Sequence, residues 1–194
     1  MKNEEALILA KLLENKGENI NISNLAALLQ KDYKVVYEIV KRLEGMSLVF
    51  LKRFGKSCRI ELVEKIHPLI FEAEFLRKEE LLKNKDLRAM LDCFLRGMNS
   101  SMYVLLVFGS YAKRKNAKNS DIDLMFVVPD SLENEFERKI AGIAETIPLK
   151  LHVNVFSERD FRSMKNSKEQ TVGAEAIKNS IILHGTEQYY ELLR

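Results

Sequence analysis

The spacing of apolar positions changes as the chain runs. Ala6, Leu7, Leu9, Ala10, Leu12 and Leu13 recur at helical spacing, and Gly17 ends that segment. Ser23 stands as an N-cap before Asn24–Gln30, and a second amphipathic stretch, Tyr33–Glu44, stops at Gly45. Val36, Ile39, Val40 and Leu43 form its core stripe. Two short β-like runs follow, Leu48–Arg53 and Ser57–Val63, with Phe54-Gly55-Lys56 as the turn. Pro68 opens a longer helical stretch that runs through Leu76, Leu81, Leu87, Leu91 and Leu95 to Gly97–Ser100. Tyr103–Phe108 and Leu124–Val128 then have the length and the β-branched and aromatic content of buried strands. In Leu149–Phe156 the residues Leu149, Leu151, Val153 and Val155 alternate onto one face. Lys150, His152, Asn154 and Phe156 fall on the other. Helices are predicted over Leu132–Thr146 with Ser131 as cap, from Ser157 onward, over Thr171–Lys178 and over Glu187–Leu193, with a short strand at Ile181–Leu183. The pattern predicts an α+β chain in three segments: 1–66, a helical connector over 67–100, and strands interspersed with helices over 101–194.

Composition narrows the class. The 194 residues are 46% apolar, enough for one sizeable core or two small ones. No apolar run approaches the ~20 residues that cross a bilayer, and the opening Met1-Lys-Asn-Glu-Glu5 is unlike a leader, so no membrane partner and a cytoplasmic location are expected. Cys58 and Cys93 lie far apart, and His67, His152 and His184 have no metal-ligand spacing. Residues 1–66 hold 12 basic and 9 acidic side chains, whereas the remaining 19 of each sign cancel, so the net charge of +3 sits in the N-terminal third. That excess alone does not establish a nucleic-acid partner.

The densest chemistry lies between the two apolar runs. Gly109-Ser110 follows the first, and after ten residues Asp121-Ile122-Asp123 leads into the second. Side chains at i and i+2 of a strand point the same way, so Asp121 and Asp123 should present two carboxylates side by side. Hard oxygen ligands of this kind suit Mg²⁺, which is usually held by one or two carboxylates together with substrate phosphates. Gly109 lets the backbone approach a ligand closely, and Ser110 is placed to cap a following helix whose N–H groups would meet a phosphate. The parts describe a site for a metal-bound nucleoside triphosphate. Lys113, Arg114, Lys115 and Lys118 in the spacer could neutralise triphosphate charge or simply face solvent.

Over roughly residues 100–160 this stretch resembles the small, minimal nucleotidyltransferases of the DNA polymerase β superfamily, whose signature is Gly-Ser, a spacer of about this length and Asp-x-Asp in an apolar strand. The resemblance implies a mixed, helix-flanked sheet over 101–194, with Gly109 and Ser110 holding the triphosphate and Asp121 and Asp123 ligating Mg²⁺ and carrying catalysis. It also implies a third acid on a later strand. The aligned position is Asn154, with His152 the second choice and Glu158 a substitute from the loop beyond. Asparagine carries no charge and takes no proton, and general-base help is typically worth ~10²–10⁴ in rate.

The order helix, helix, turn, helix, hairpin over residues 1–66 resembles a winged helix-turn-helix, which implies double-stranded DNA as a partner, with the third helix in the major groove and the hairpin on the backbone. The residues placed for it are Lys34, Tyr37, Lys41 and Arg42 on the helix, and Lys52, Arg53 and Lys56 on the hairpin, with Arg59 beside them. These suit phosphate contacts, which position a protein without specifying sequence. A packing or dimerisation module with solvated lysines is the plainer alternative.

Two resemblances together imply an enzyme moving a nucleoside monophosphate, most often AMP, from a triphosphate to a hydroxyl on a small molecule or protein. The rival is a DNA-binding transcriptional regulator whose transferase-like domain senses nucleotide or mediates assembly, and a protein-interaction adaptor is the third reading. Dimerisation through 67–100 is an expectation of the same rank.

Overall fold

The computed structural model of the chain describes residues 3–55, 57–113, 120–166 and 172–194. It divides into two compact units, Met1–Arg77 and Lys78–Arg194.

The first unit opens with α1 (Glu4–Glu14), α2 (Ile22–Leu29) and α3 (Tyr33–Gly45). The cap of α2 is Asn21 and not Ser23: the Asn24 N–H donates to Asn21 Oδ1 at 2.8 Å, and the Asn21 N–H donates to Asn24 Oδ1 at 3.3 Å. This reciprocal box satisfies two backbone donors and starts the helix early enough to bury Ile22. On α3 the residues Val36, Ile39, Val40 and Leu43 are buried, as the stripe predicts. Strands β1 (Val49–Phe54) and β2 (Ser57–Leu62) pair antiparallel from Val49↔Leu62 to Phe54↔Ser57. The Ile60 N–H donates to the Ile20 carbonyl at 2.8 Å, tying the hairpin to the α1–α2 link. Helix α4 (Pro68–Leu81) contains the point of division between the units, inside the segment read as connector. Its Glu74 and Arg77 are buried and paired at 2.6 Å. Such a pair is weak evidence of stability, because desolvation offsets the attraction.

The second unit contains α5 (Lys85–Gly97), β3 (Val104–Phe108), α6 (Gly109–Ala112), β4 (Ile122–Val128), α7 (Glu133–Glu145) and β5 (Leu151–Ser157). Helices α8 (Glu158–Asn166) and α9 (Val172–Lys178), strand β6 (Ile181–His184) and helix α10 (Thr186–Leu192) complete it. The sheet is mixed, in the order β5-β4-β3-β6, with β3 antiparallel to both neighbours and β4 parallel to β5. Leu105, Val107, Ile122, Leu124, Phe126 and Val128 line one face and pack on Leu87, Met90, Leu91 and Phe94 of α5 and on Phe136 and Ile140 of α7. Leu151, Val153 and Val155 join the same cluster, as their alternation predicts. The intervening Leu106, Met125 and Val127 are buried too, with α8, α9 and α10 against the sheet. Coverage on both faces explains why β3 and β4 read as continuous apolar runs. Ser131 does not cap α7; a turn closed by the Leu132 N–H and the Pro129 carbonyl makes Leu132 the cap, without a side-chain bond.

His184, at the end of β6, stacks on Tyr103 with ring centroids 4.4 Å apart and contacts the Ser101 carbonyl through Nε2 at 3.2 Å. Burial pushes its pKa below the ordinary 6.5, aided by the Lys78 charge and opposed by the bond to Ser101. A base whose folded pKa is depressed contributes stability above its unfolded value, and loses it as pH falls. Denaturant midpoints of the chain should therefore fall as pH drops below 6.5, and His184→Gln should flatten that part of the curve.

Candidate active site

Register brings the site together. Phe108, the last residue of β3, is opposite Asp123 on β4, and Asp123 is opposite His152 on β5. Asp123 thus stands on a central strand with a neighbour on either side. On the β3 side the chain turns at once into α6 through Gly109, whose φ of 67° lies in the left-handed region. A Cβ at Gly109 would fall 2.2 Å from Asp123 Oδ2. Backbone and carboxylate are therefore in direct apposition, and only glycine allows both the bend and the approach. On the β5 side, Asp123 Oδ1 accepts a hydrogen bond from His152 Nδ1 at 3.3 Å.

Asp121 is exposed and immediately precedes β4, whose pairing begins where the Ile122 N–H donates to the Lys150 carbonyl at 2.8 Å. Ser110 lies in the first turn of α6 and does not cap it; Phe108 holds the cap position without a side-chain bond. The reason is geometric: the turn is made by Gly109, so the helix begins one residue before the serine. The Tyr111 ring packs on the apolar cluster, and its hydroxyl is 3.5 Å from the Ser120 carbonyl, where the spacer returns. Lys113 is paired with Glu175 of α9 at 2.8 Å. Arg114, Lys115 and Lys118 lie outside the described residues.

Asn154, the position that the resemblance aligns with the third acid, lies on β5. It is opposite Met125, two residues further along, and its Nδ2 donates to the Leu124 carbonyl at 3.5 Å. His152 is the β5 side chain that meets Asp123. Glu158, the first residue of α8, lies 4.0 Å from Arg162. Among the described residues no group of three or more His, Cys, Asp or Glu assembles to hold a metal. The donor chemistry still fits Mg²⁺, which needs one or two carboxylates when phosphates supply the rest. The close approach of the Gly109 backbone to Asp123 sets one such carboxylate directly beside the bend.

In the first unit, the side chains of Lys34, Tyr37, Lys41, Arg42, Lys52 and Arg53 are all exposed. Several are engaged. Lys41 pairs with Glu44, Arg42 with Glu5 at 2.8 Å, and Lys52 with Glu61 at 3.7 Å. Tyr37 stacks on Tyr33 with centroids 6.3 Å apart. Lys34 and Arg53 have no ion-pair partner among the described residues. Lys56 lies outside them.

Comparison with known proteins agrees with the second unit's geometry. Residues 97–189 match the family model described as polymerase beta, nucleotidyltransferase. That stretch is therefore similar to nucleotidyltransferase domains of the polymerase β type. No curated protein matches the chain. Among solved structures, it is similar to a crystal structure of a toxin-antitoxin with AMP-PNP, at 19% identity over 54% of this chain and 77% of that one, with a TM-score of 0.34. Among the described residues no helix is long and apolar enough to cross a membrane.

Gly109→Ala should force the Asp123 carboxylate aside and strain the turn. A loss of about 1–3 kcal/mol in unfolding free energy is expected from a non-glycine residue in this conformation, measurable by denaturant titration.

Proposed function

We propose that the chain transfers a nucleoside monophosphate, AMP in the first instance, from a triphosphate to a hydroxyl acceptor, and that its N-terminal unit is a winged helix-turn-helix that binds double-stranded DNA. The observation carrying the first part is the apposition of the Gly109 bend and the Asp123 carboxylate inside the nucleotidyltransferase match. Gly109 admits the phosphates close to the backbone, and Ser110 in the following turn supplies a hydroxyl to them. Asp121 and Asp123 hold Mg²⁺. Bound there, the ion would neutralise phosphate charge and orient the attacking and leaving oxygens. The acceptor hydroxyl oxygen bonds to the α-phosphorus as the bond to pyrophosphate breaks, and the hydroxyl proton is lost to solvent.

One observation favours a second reading. The residue aligned with the third acid is an uncharged amide engaged with a backbone carbonyl. A domain of this kind would bind nucleotide with slow or absent transfer, and the chain would act as a nucleotide-responsive DNA-binding regulator.

Incubation with α-labelled ATP, Mg²⁺ and candidate protein or small-molecule acceptors separates the two. Label transfer that falls on the order of 10²–10³-fold in both Asp121→Ala and Asp123→Ala supports the enzyme. Nucleotide binding without transfer, with DNA affinity that changes on adding nucleotide, supports the regulator.

For the DNA-binding part, the support is the exposed α3 face together with Lys34 and Arg53, which have no ion-pair partner among the described residues. Lys34→Ala and Arg53→Ala should each weaken duplex binding and reduce the salt slope by about 0.9 for each phosphate no longer neutralised. Lys41→Ala and Arg42→Ala should do less, since those cations already face Glu44 and Glu5. Fluorescence anisotropy across a salt series reads both.

A further inference from the structure

We infer that His152 is a positioning residue that fixes the Asp123 carboxylate for the nucleotide-bound cation, an inference that rests on the reading of Asp121 and Asp123 as the pair that holds that cation. A carboxylate that ligates a cation must present its oxygens in one orientation, and rotation about its last side-chain bond is otherwise broad. At Asp123 both oxygens have defined neighbours. Gly109 crowds Oδ2 from the β3 side, and His152 Nδ1 meets Oδ1 from the β5 side at 3.3 Å.

Direction follows from chemistry. An ionised carboxylate only accepts hydrogen bonds, so the imidazole presents Nδ1–H to it. Packing does not explain the ring, because the His152 side chain is 66% exposed. Nor is the adjacent same-face residue of β5 available for the task, since Asn154 stands opposite Met125 and donates to the Leu124 carbonyl. The strand register alone delivers His152 to Asp123. Partners that orient ligating side chains typically change metal affinity about 10–100-fold when removed.

The test uses the full chain, a non-hydrolysable ATP analogue and a Mg²⁺ titration read by equilibrium dialysis. His152→Ala should raise the Mg²⁺ concentration needed for half-maximal analogue binding about 10–100-fold. Binding without Mg²⁺ and the thermal midpoint should not move. His152→Asn should restore most of the loss, because the Asn amide nitrogen occupies the same bonded position as Nδ1, whereas His152→Leu should not. If Asp123→Ala abolishes the Mg²⁺-dependent binding while His152→Ala behaves as the parent, or His152→Asn is as weak as His152→Ala, the inference is overturned and the site reading stands. If Asp123→Ala itself binds as the parent, the site reading fails, and the role of His152 with it.

Discussion

The central constraint is a sheet covered on both faces. Strand β3 is buried throughout, and β4 is buried at every residue but Asp123. A charge is tolerated in such a layer only where solvent or a ligand can reach it, which means at a strand end. The end of β3, the start of β4 and the start of β5 meet at one edge, so Phe108, Asp123 and His152 are brought into line by ladder hydrogen bonds. The bend at Gly109 then follows directly, because the chain must leave β3 at the level of Asp123 without a side chain in the way. The apolar interior and the polar strand ends are thus one arrangement: the hydrophobic packing of α5 and α7 holds the strands at whose ends Asp123 and His152 meet.

Much of this was legible in the sequence because its signals are local. Continuous apolar runs announced β3 and β4, alternation announced β5 and the face it buries, and Gly-Ser with Asp-x-Asp marked the turn and the acids. Register between strands is not local. Asp123 and His152 are 29 residues apart, and no periodicity states which β5 residue lies beside which β4 residue. The resemblance aligned Asn154 with the third acid and named His152 second, and only the ladder shows that His152 is the one opposite Asp123. Caps shifted for a similar reason: Asn21 competed successfully with Ser23 because its partner Asn24 completes a reciprocal pair, and the serine offered no such return bond.

The first unit shows how far composition can mislead about charge. The +3 excess of residues 1–66 suggests a basic surface, yet Arg42 is met by Glu5 from another helix and Lys52 by Glu61 across the hairpin. These partners are distant in sequence, so the helical wheel of α3 alone overstates the free positive charge. What remains is an exposed face with the stacked Tyr33 and Tyr37, alongside Lys34. Exposed pairs are worth little, typically ~0–1 kcal/mol, so a polyanion could displace the partners of Arg42 or Lys52, but only at a cost that Lys34 does not incur.

Lys113 stands in the same relation to the proposed nucleotide site. It leaves α6 directly after Gly109, Ser110, Tyr111 and Ala112, and its ammonium is held by Glu175 at 2.8 Å with both side chains well exposed. In the proposed site two carboxylates and one divalent cation would balance locally, leaving triphosphate charge for other cations to meet. A single exposed glutamate is a weaker partner than a polyphosphate, because the charge-assisted bonds available to Lys113 multiply while the desolvation already incurred stays the same. The Glu175 pairing therefore keeps the lysine near the site without withdrawing it from a ligand, and a phosphate held at Gly109 and Ser110 would draw on Lys113 as well.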